Sequence, residues 1–480
     1  MDILKGYNPE TVWKYFEEIS KIPRCSKHEE KIRAYVKSVA ENLGLKYKED
    51  DVGNIVVMVD GKGSYERDGV VLQAHLDMVC EKNSDVKHDF STDPLKLRIE
   101  GDWLKATGTT LGADNGIGIA ILLAMMEEND SSYPPMEMLF TVDEETGMTG
   151  AFNLKSDFVR SRKFINVDSE DNAIYIGCAG GGDSRITMSD IPVEEVKGTP
   201  YKLVINGLKG GHSGTDITLE RANAIILLSR ALSFISDNGE LNIMEFSGGD
   251  KHNAIPREAF AVFSTSIDEG AVKDIILKAT DAFKEEYSSV EPTLNVTLES
   301  LDKNDVGLNT YESERFINFI LSMPHGVARM SPDIEDLAET SCNLAKVNLN
   351  GSELEVLESS RSSVRPALDA LRRKIKAVSY LYGAEVKEGS PYPGWKPNLK
   401  SPLLAIASDV YAEMNGKKPE VKAIHAGLEA GILAEKYPGS DIISIGPLIE
   451  FPHSPDERLN IKSVEYIYSF LKNILKALSV

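Results

Sequence analysis

His75 and Asp77 stand two residues apart at the end of a largely apolar run, 69–74. Glu144 and Glu145 follow a second run, 138–142, and Asp168 ends a third, 164–167. A late run, 441–446, leads to His453, while Asp114 lies in the turn 111–116, just before an apolar helix. Each run reads as a buried strand, and in open α/β sheets ligands bind beyond the carboxyl ends of the strands. Nitrogen and oxygen ligands brought there from several elements are what a hydrolytic metal centre requires. Two histidines and several acids from separate elements are enough for two ions about 3.5–4 Å apart. Such a mixed set suits zinc, with manganese or cobalt as substitutes.

Taken singly, the motifs also have ordinary readings. A histidine ending a strand can simply pair with a polar neighbour, although a carboxylate such as Asp77 can also fix the tautomer of a metal-binding imidazole. Asp114 could merely cap the helix that begins near Ile117. Glu144 and Glu145 say more, because adjacent carboxylates are costly to desolvate unless they meet cations or one holds a proton.

At 480 residues the chain exceeds what one core usually serves, so two or more domains are expected. The 42% hydrophobic and 27% charged content is that of an ordinary globular protein. A formal charge of -22 argues against nucleic acid or an anionic membrane as partner. The blander account of that charge is a solvated acidic surface. Four scattered cysteines, Cys25, Cys80, Cys178 and Cys342, show no paired spacing, so reduced thiols and a cytoplasmic protein are expected. The amino terminus carries no signal-type apolar stretch, and the apolar runs are too short to span a bilayer.

Strand and helix alternate through Asp168, the pattern of a mixed, mostly parallel sheet covered on both faces. The glycines of 178–183 read as a flexible boundary, and the prolines of 391–397 as a second one. Between them the order becomes β-α-β-β-α-β, the split-βαβ signature, followed by a similar second set. The fold class is therefore α/β, with a discontinuous catalytic domain, 1–184 and 398–480. An α+β lid, 185–397, is inserted into it and holds two lobes, about 185–300 and 301–397.

Seven quoted stretches carry a resemblance: Leu-Gln-Ala-His-Leu-Asp-Met-Val at 72–79, 108–116, Glu-Glu-Thr-Gly-Met at 144–148, 166–170, Gly-Gly-His-Ser-Gly at 210–214, His-Ala-Gly-Leu-Glu at 425–429 and Pro-His-Ser-Pro-Asp-Glu at 452–457. Together they resemble the aminoacyl-histidine dipeptidases (Xaa-His, carnosine-cleaving type) of the di-zinc clan that includes acetylornithine deacetylase. The resemblance implies that Asp114 bridges two zinc ions, His75 and Asp168 complete one site, and Glu145 and His453 the other. It implies Asp77 as the residue that orients His75 and Glu144 as general base. His212, otherwise an exposed turn histidine, becomes a donor to the oxyanion. Asn253, Arg361 and Gly427 become candidates for holding substrate; a guanidinium suits the free carboxylate of a dipeptide, where the ordinary reading is a solvated arginine. The preference for a carboxyl-terminal histidine comes from resemblance alone. A broader dipeptidase, a tripeptidase or an N-deacylase of the clan are the alternatives, with a non-catalytic metal-binding scaffold behind them. In simpler relatives a lid lobe pairs with its copy, so a homodimer is compatible with the chain, although a second lobe could imitate the partner.

Overall fold

The computed structural model describes residues 3–302 and 305–479. They form two compact units, the first of Met1–Gly177, Pro397–Ala423 and Leu428–Val480, the second of Cys178–Lys396 and Ile424–Gly427.

The first unit is built on an eight-stranded sheet. Its order is Lys46–Glu49, Ile55–Val59, Met136–Thr141, Val70–His75, Lys163–Val167, Asp441–Ile445, Ile174–Cys178 and Val421–Ile424. Met136–Thr141, Val70–His75, Lys163–Val167 and Asp441–Ile445 run parallel, so their carboxyl ends emerge along one edge. Every residue of Val70–His75 and Met136–Thr141 is buried, which is why these strands read as continuous runs and not as alternation. Helix Ala113–Glu128 buries Ile117 to Met126 without a break, as a helix apolar on all sides must. Each fully buried Ile or Leu there contributes roughly 1.5–3 kcal/mol.

The second unit is a nine-stranded sheet whose recorded pairings are all antiparallel. Helices Ala224–Ser236, Glu269–Glu286, Thr310–Ser322 and Arg365–Tyr382 share one apolar core with it. The elements expected to form two lobes thus meet in one sheet, because Leu241–Gly248 pairs with Ala338–Asn350.

Two expectations are corrected. The glycines at 180–182 are no flexible linker but the start of strand Gly180–Met188, which pairs with Glu353–Ser362. A side chain at Gly180 would strike the backbone of Pro393 and Gly394, so glycine serves close backbone approach there. Residues 178–184 accordingly belong to the second unit. Nor are all four thiols reduced: Cys25 and Cys80 form a disulfide across a sequence separation of 55. Cys25 bridges to Met78 beside the end of Val70–His75, which removes a distance that linear spacing cannot reveal. Cys178 and Cys342 are free and buried. Among the described residues no helix is long and apolar enough to cross a membrane.

Candidate metal centre

The parallel strands deliver their terminal residues to one place. His75 ends its strand, Asp168 directly follows Lys163–Val167, and Glu144 and Glu145 open the short helix Glu144–Gly147 just beyond Met136–Thr141. Asp114 sits in extended backbone (φ −80°, ψ 111°), so the regular helix starts only after Asn115. His453 comes from the loop between Ile449–Glu450 and Arg458–Asn460, with φ of 60°, a left-handed conformation uncommon for a side chain with Cβ.

Asp114 stands at the centre. Its Oδ1 lies 3.0 Å from His75 Nε2, and its Oδ2 lies 3.1 Å from His453 Nε2. Each imidazole faces a further acid: His75 Nε2 is 3.4 Å from Asp168 Oδ1, and His453 Nε2 is 3.1 Å from Glu145 Oε2. The arrangement is two half-sites joined by one carboxylate. Behind it, Asp77 Oδ1 is 3.2 Å from His75 Nδ1 and accepts the Glu144 amide at 3.0 Å. Its other oxygen accepts from Ser26 Oγ at 2.7 Å and from the Glu145 amide at 3.1 Å. Asp77 therefore orients both His75 and the turn that holds the paired glutamates.

The charges are poorly balanced without a cation. Burial pushes the Glu144 carboxyl well above the ordinary range; the charges of Asp168, Glu429 and Glu145 add to this and His75 opposes it. Burial also opposes ionisation of Asp77, yet bonds from His75, Ser26 and the Glu144 amide hold it at about 2. Hydrogen bonds to Asp114 and Glu145 lift His453 to about 11. A single N–H on His453 Nε2 can satisfy only one of the two oxygens it faces. Glu145 Oε1 is buried with no hydrogen-bond partner. Ligand atoms of His75, Asp114 and Glu145 lie within 4.8 Å of one another. A divalent cation in each half-site would meet all these lone pairs at once, so the residues fit a metal pair.

A buried polar chain aligns the strands beneath the site. Glu429 accepts from Gln73 Nε2 and from Thr141 Oγ1, each at 2.6 Å. Gln73 in turn accepts from Asn166, which accepts from Ser444. The chain crosses the strands that end near His75, Glu144 and Asp168.

The second unit gathers the other candidates. His212 pairs with Ala254 in a two-residue ladder, and the Ser213 amide donates to Asn253 O at 2.8 Å, so His212 and Asn253 are neighbours. His212 Nδ1 accepts from the amides of Gly214 and Thr215 at 3.2 and 3.1 Å, which places its proton on Nε2. Burial and then the charge of Arg361 lower the His212 pKa. Arg361 is only 6% exposed, which excludes the solvated-arginine reading. It donates to the Tyr392 hydroxyl at 2.9 Å, and its Nε is buried with no hydrogen-bond partner. Gly427 lies in the loop that follows strand Val421–Ile424, where His425 Nε2 is 2.7 Å from Ser341 Oγ.

Sequence reasoning gave no role to Glu429, Glu457 or Arg24, all buried here. Glu429 and Glu457 close two of the quoted motifs. The signal that could have found Glu429 is an acid placed directly before the apolar run 430–434 in helix Glu429–Lys436.

Residues 71–477 match the model described as peptidase family M20/M25/M40. The chain is 38% identical over 480 residues to the cytosol non-specific dipeptidase of Escherichia coli, covering 99% of each chain. It is also 38% identical to the crystal structure of aminoacylhistidine dipeptidase from Vibrio alginolyticus, with a TM-score of 0.91 over 99% of this chain and 98% of that one. Aminopeptidase PepT from Bacillus cereus, 15% identical with a TM-score of 0.58 over 99% and 100%, shares the fold alone.

Proposed function

We propose that this chain, which belongs to peptidase family M20/M25/M40, hydrolyses the peptide bond of dipeptides at a pair of divalent metal ions. One observation carries the reading. The two oxygens of Asp114 face two different imidazoles, and each imidazole faces a further acid. The relatives named as dipeptidases support the reaction class.

In this reading His75, Asp168 and Asp114 would hold one ion, and Glu145, His453 and Asp114 the other, with zinc as the native metal and manganese or cobalt as substitutes. Bound metal supplies a water acidic near neutral pH and a Lewis acid for the scissile carbonyl. The protein's own groups do the rest. Asp77 accepts the Nδ1 proton of His75 and leaves the Nε2 lone pair free as a ligand. Glu144 takes the proton from the attacking water and passes it to the departing amine, a role that suits a carboxyl made more basic by burial. His212, with its proton on Nε2, is assigned to the oxyanion. Arg361, a buried guanidinium with a phenol as side-chain partner, is assigned to the substrate carboxylate. Asn253 and Gly427 are assigned to holding the peptide. Preference for a carboxyl-terminal histidine and a cytoplasmic location complete the reading, which is compatible with a homodimer but does not require one.

The test is a panel assayed on stripped and metal-restored protein. It contains Xaa-His dipeptides, β-alanyl-histidine, other dipeptides, a tripeptide and an acetylated amino acid. Metal-dependent turnover concentrated on dipeptides is expected, highest for Xaa-His. Full activity in verified metal-free protein, or turnover confined to the acetylated substrate, refutes it.

A further inference from the structure

We infer that Glu457 and Arg24 are positioning residues that grip the turn 111–114 from its amide and carbonyl sides, and so set Asp114 against His453 and His75. The inference rests on the two-metal reading above. Glu457 is 2% exposed. Its Oε2 accepts from the amides of Leu111 at 2.7 Å and Gly112 at 2.9 Å; its Oε1 accepts from those of Ala113 at 2.8 Å and Asp114 at 3.3 Å. Four consecutive N–H groups thus converge on one buried carboxylate. A buried charge is tolerable only with such compensation.

The start of a helix always leaves amides in need of acceptors, and a local Ser, Thr, Asp or Asn ordinarily supplies one. Here the acceptor comes from 343 to 346 residues further along the chain. A cap alone does not require that reach. What the reach achieves is a link between two loops, because Glu457 lies four residues after His453. The link is stiff, since the Glu457 amide donates to Ser454 O at 3.0 Å. The carboxylate therefore ties the Asp114 turn to the loop that carries His453.

Arg24 completes the grip. Its Nη2 donates to Gly112 O, and its Nη1 donates to Leu76 O at 3.2 Å and Asp77 O at 2.6 Å. Leu76 and Asp77 directly follow His75, so the guanidinium ties the Asp114 turn to that strand end. The residue Gly112 is thus held at its N–H by an anion and at its C=O by a cation. It has a φ of 64°, and a Cβ there would come within 2.7 Å of Arg24 Nη2 and Met78 Sδ. Glycine is what lets the guanidinium close on the turn.

The experiment uses the full chain in its Glu457→Gln and Arg24→Lys forms. Glutamine offers one acceptor oxygen and turns an NH2 toward the amides, whereas lysine keeps the charge and loses the fork. Zinc is titrated calorimetrically into chelator-stripped protein, and hydrogen exchange of amides 111–114 is followed in the metal-free protein. Zinc Kd should rise about 10- to 100-fold in each variant, the range for losing a group that orients metal ligands. Exchange at 111–113 should quicken, and the double variant should lose less than the product of the single losses. A role confined to stability predicts a lower melting temperature with zinc Kd within about threefold of wild type, and that result overturns the inference. If Glu457→Gln does not fold, Arg24→Lys decides: unchanged zinc affinity and unchanged exchange in it refute the grip. Wild-type protein that takes up no zinc refutes the metal reading itself, and the exchange measurement then still tests the grip by itself.

Discussion

Glu358 is an ionisable side chain buried in the apolar core of the second unit, and it makes the stability of that unit depend on pH. It lies opposite Leu344 in the pairing of Ala338–Asn350 with Glu353–Ser362, and Leu344, Val356 and Cys342 on these two strands are core residues. The side chain is fully buried, its Oε2 accepts from Cys342 Sγ at 2.8 Å, and its Oε1 has no partner. Burial pushes its pKa from 4.5 up to about 8. Between those values the folded protein holds a proton that the unfolded chain has released. The group's contribution to stability is therefore complete below pH 4.5, declines as pH rises, and is fully lost above about 8. At about 1.4 kcal/mol per pH unit the whole decline amounts to about 5 kcal/mol, an upper bound because relaxation around the charge reduces it.

Glu358→Gln keeps the size and an acceptor for Cys342 but cannot ionise. The variant should unfold at nearly the wild-type temperature at pH 4.5 and at a higher one at pH 8. For a unit of this size roughly 2–4 °C accompanies each kcal/mol, so even half of the bound gives a difference of about 5–10 °C. Calorimetric scans of both proteins at the two pH values measure it. A Tm difference between variant and wild type that is the same at both pH values refutes the reasoning, because Glu358 would then not change its protonation across the interval.

Two further predictions concern the reaction. Glu144→Gln should keep metal content near wild type while kcat falls by about 10²–10⁴, as for loss of a general base; retention of more than about a tenth of kcat would show that another group takes the proton. Arg361→Ala should raise KM for a dipeptide far more than for its carboxyl-amidated analogue, and equal losses on the two substrates would release Arg361 from the substrate carboxylate.

What the sequence made legible follows from where a residue's constraint lies. His75, Glu144 and Asp168 each stand at the end of a largely apolar run, and such runs are the mark of central parallel strands, so their meeting at one sheet edge could be anticipated. The α/β class and the α+β insert were legible for the same reason, since periodicity is local. Pairing across the chain is not. Cys25 joins Cys80, Leu241–Gly248 joins Ala338–Asn350, and Gly180 lies against Pro393 through contacts that no spacing rule announces. Glycine runs illustrate the difficulty: a triplet at 180–182 signals freedom in a linker and close packing in a strand with equal force. Arg361 was visible as a residue but not as a buried one, and burial is what turns a surface charge into a demand for an anion. Glu457 is the extreme case. Its side chain has no local task in the sequence, and its four partners lie in a turn more than three hundred residues away. Groups that present chemistry sit at the ends of elements and leave a local trace, whereas Glu457 and Arg24, which hold those ends in register, act across the fold.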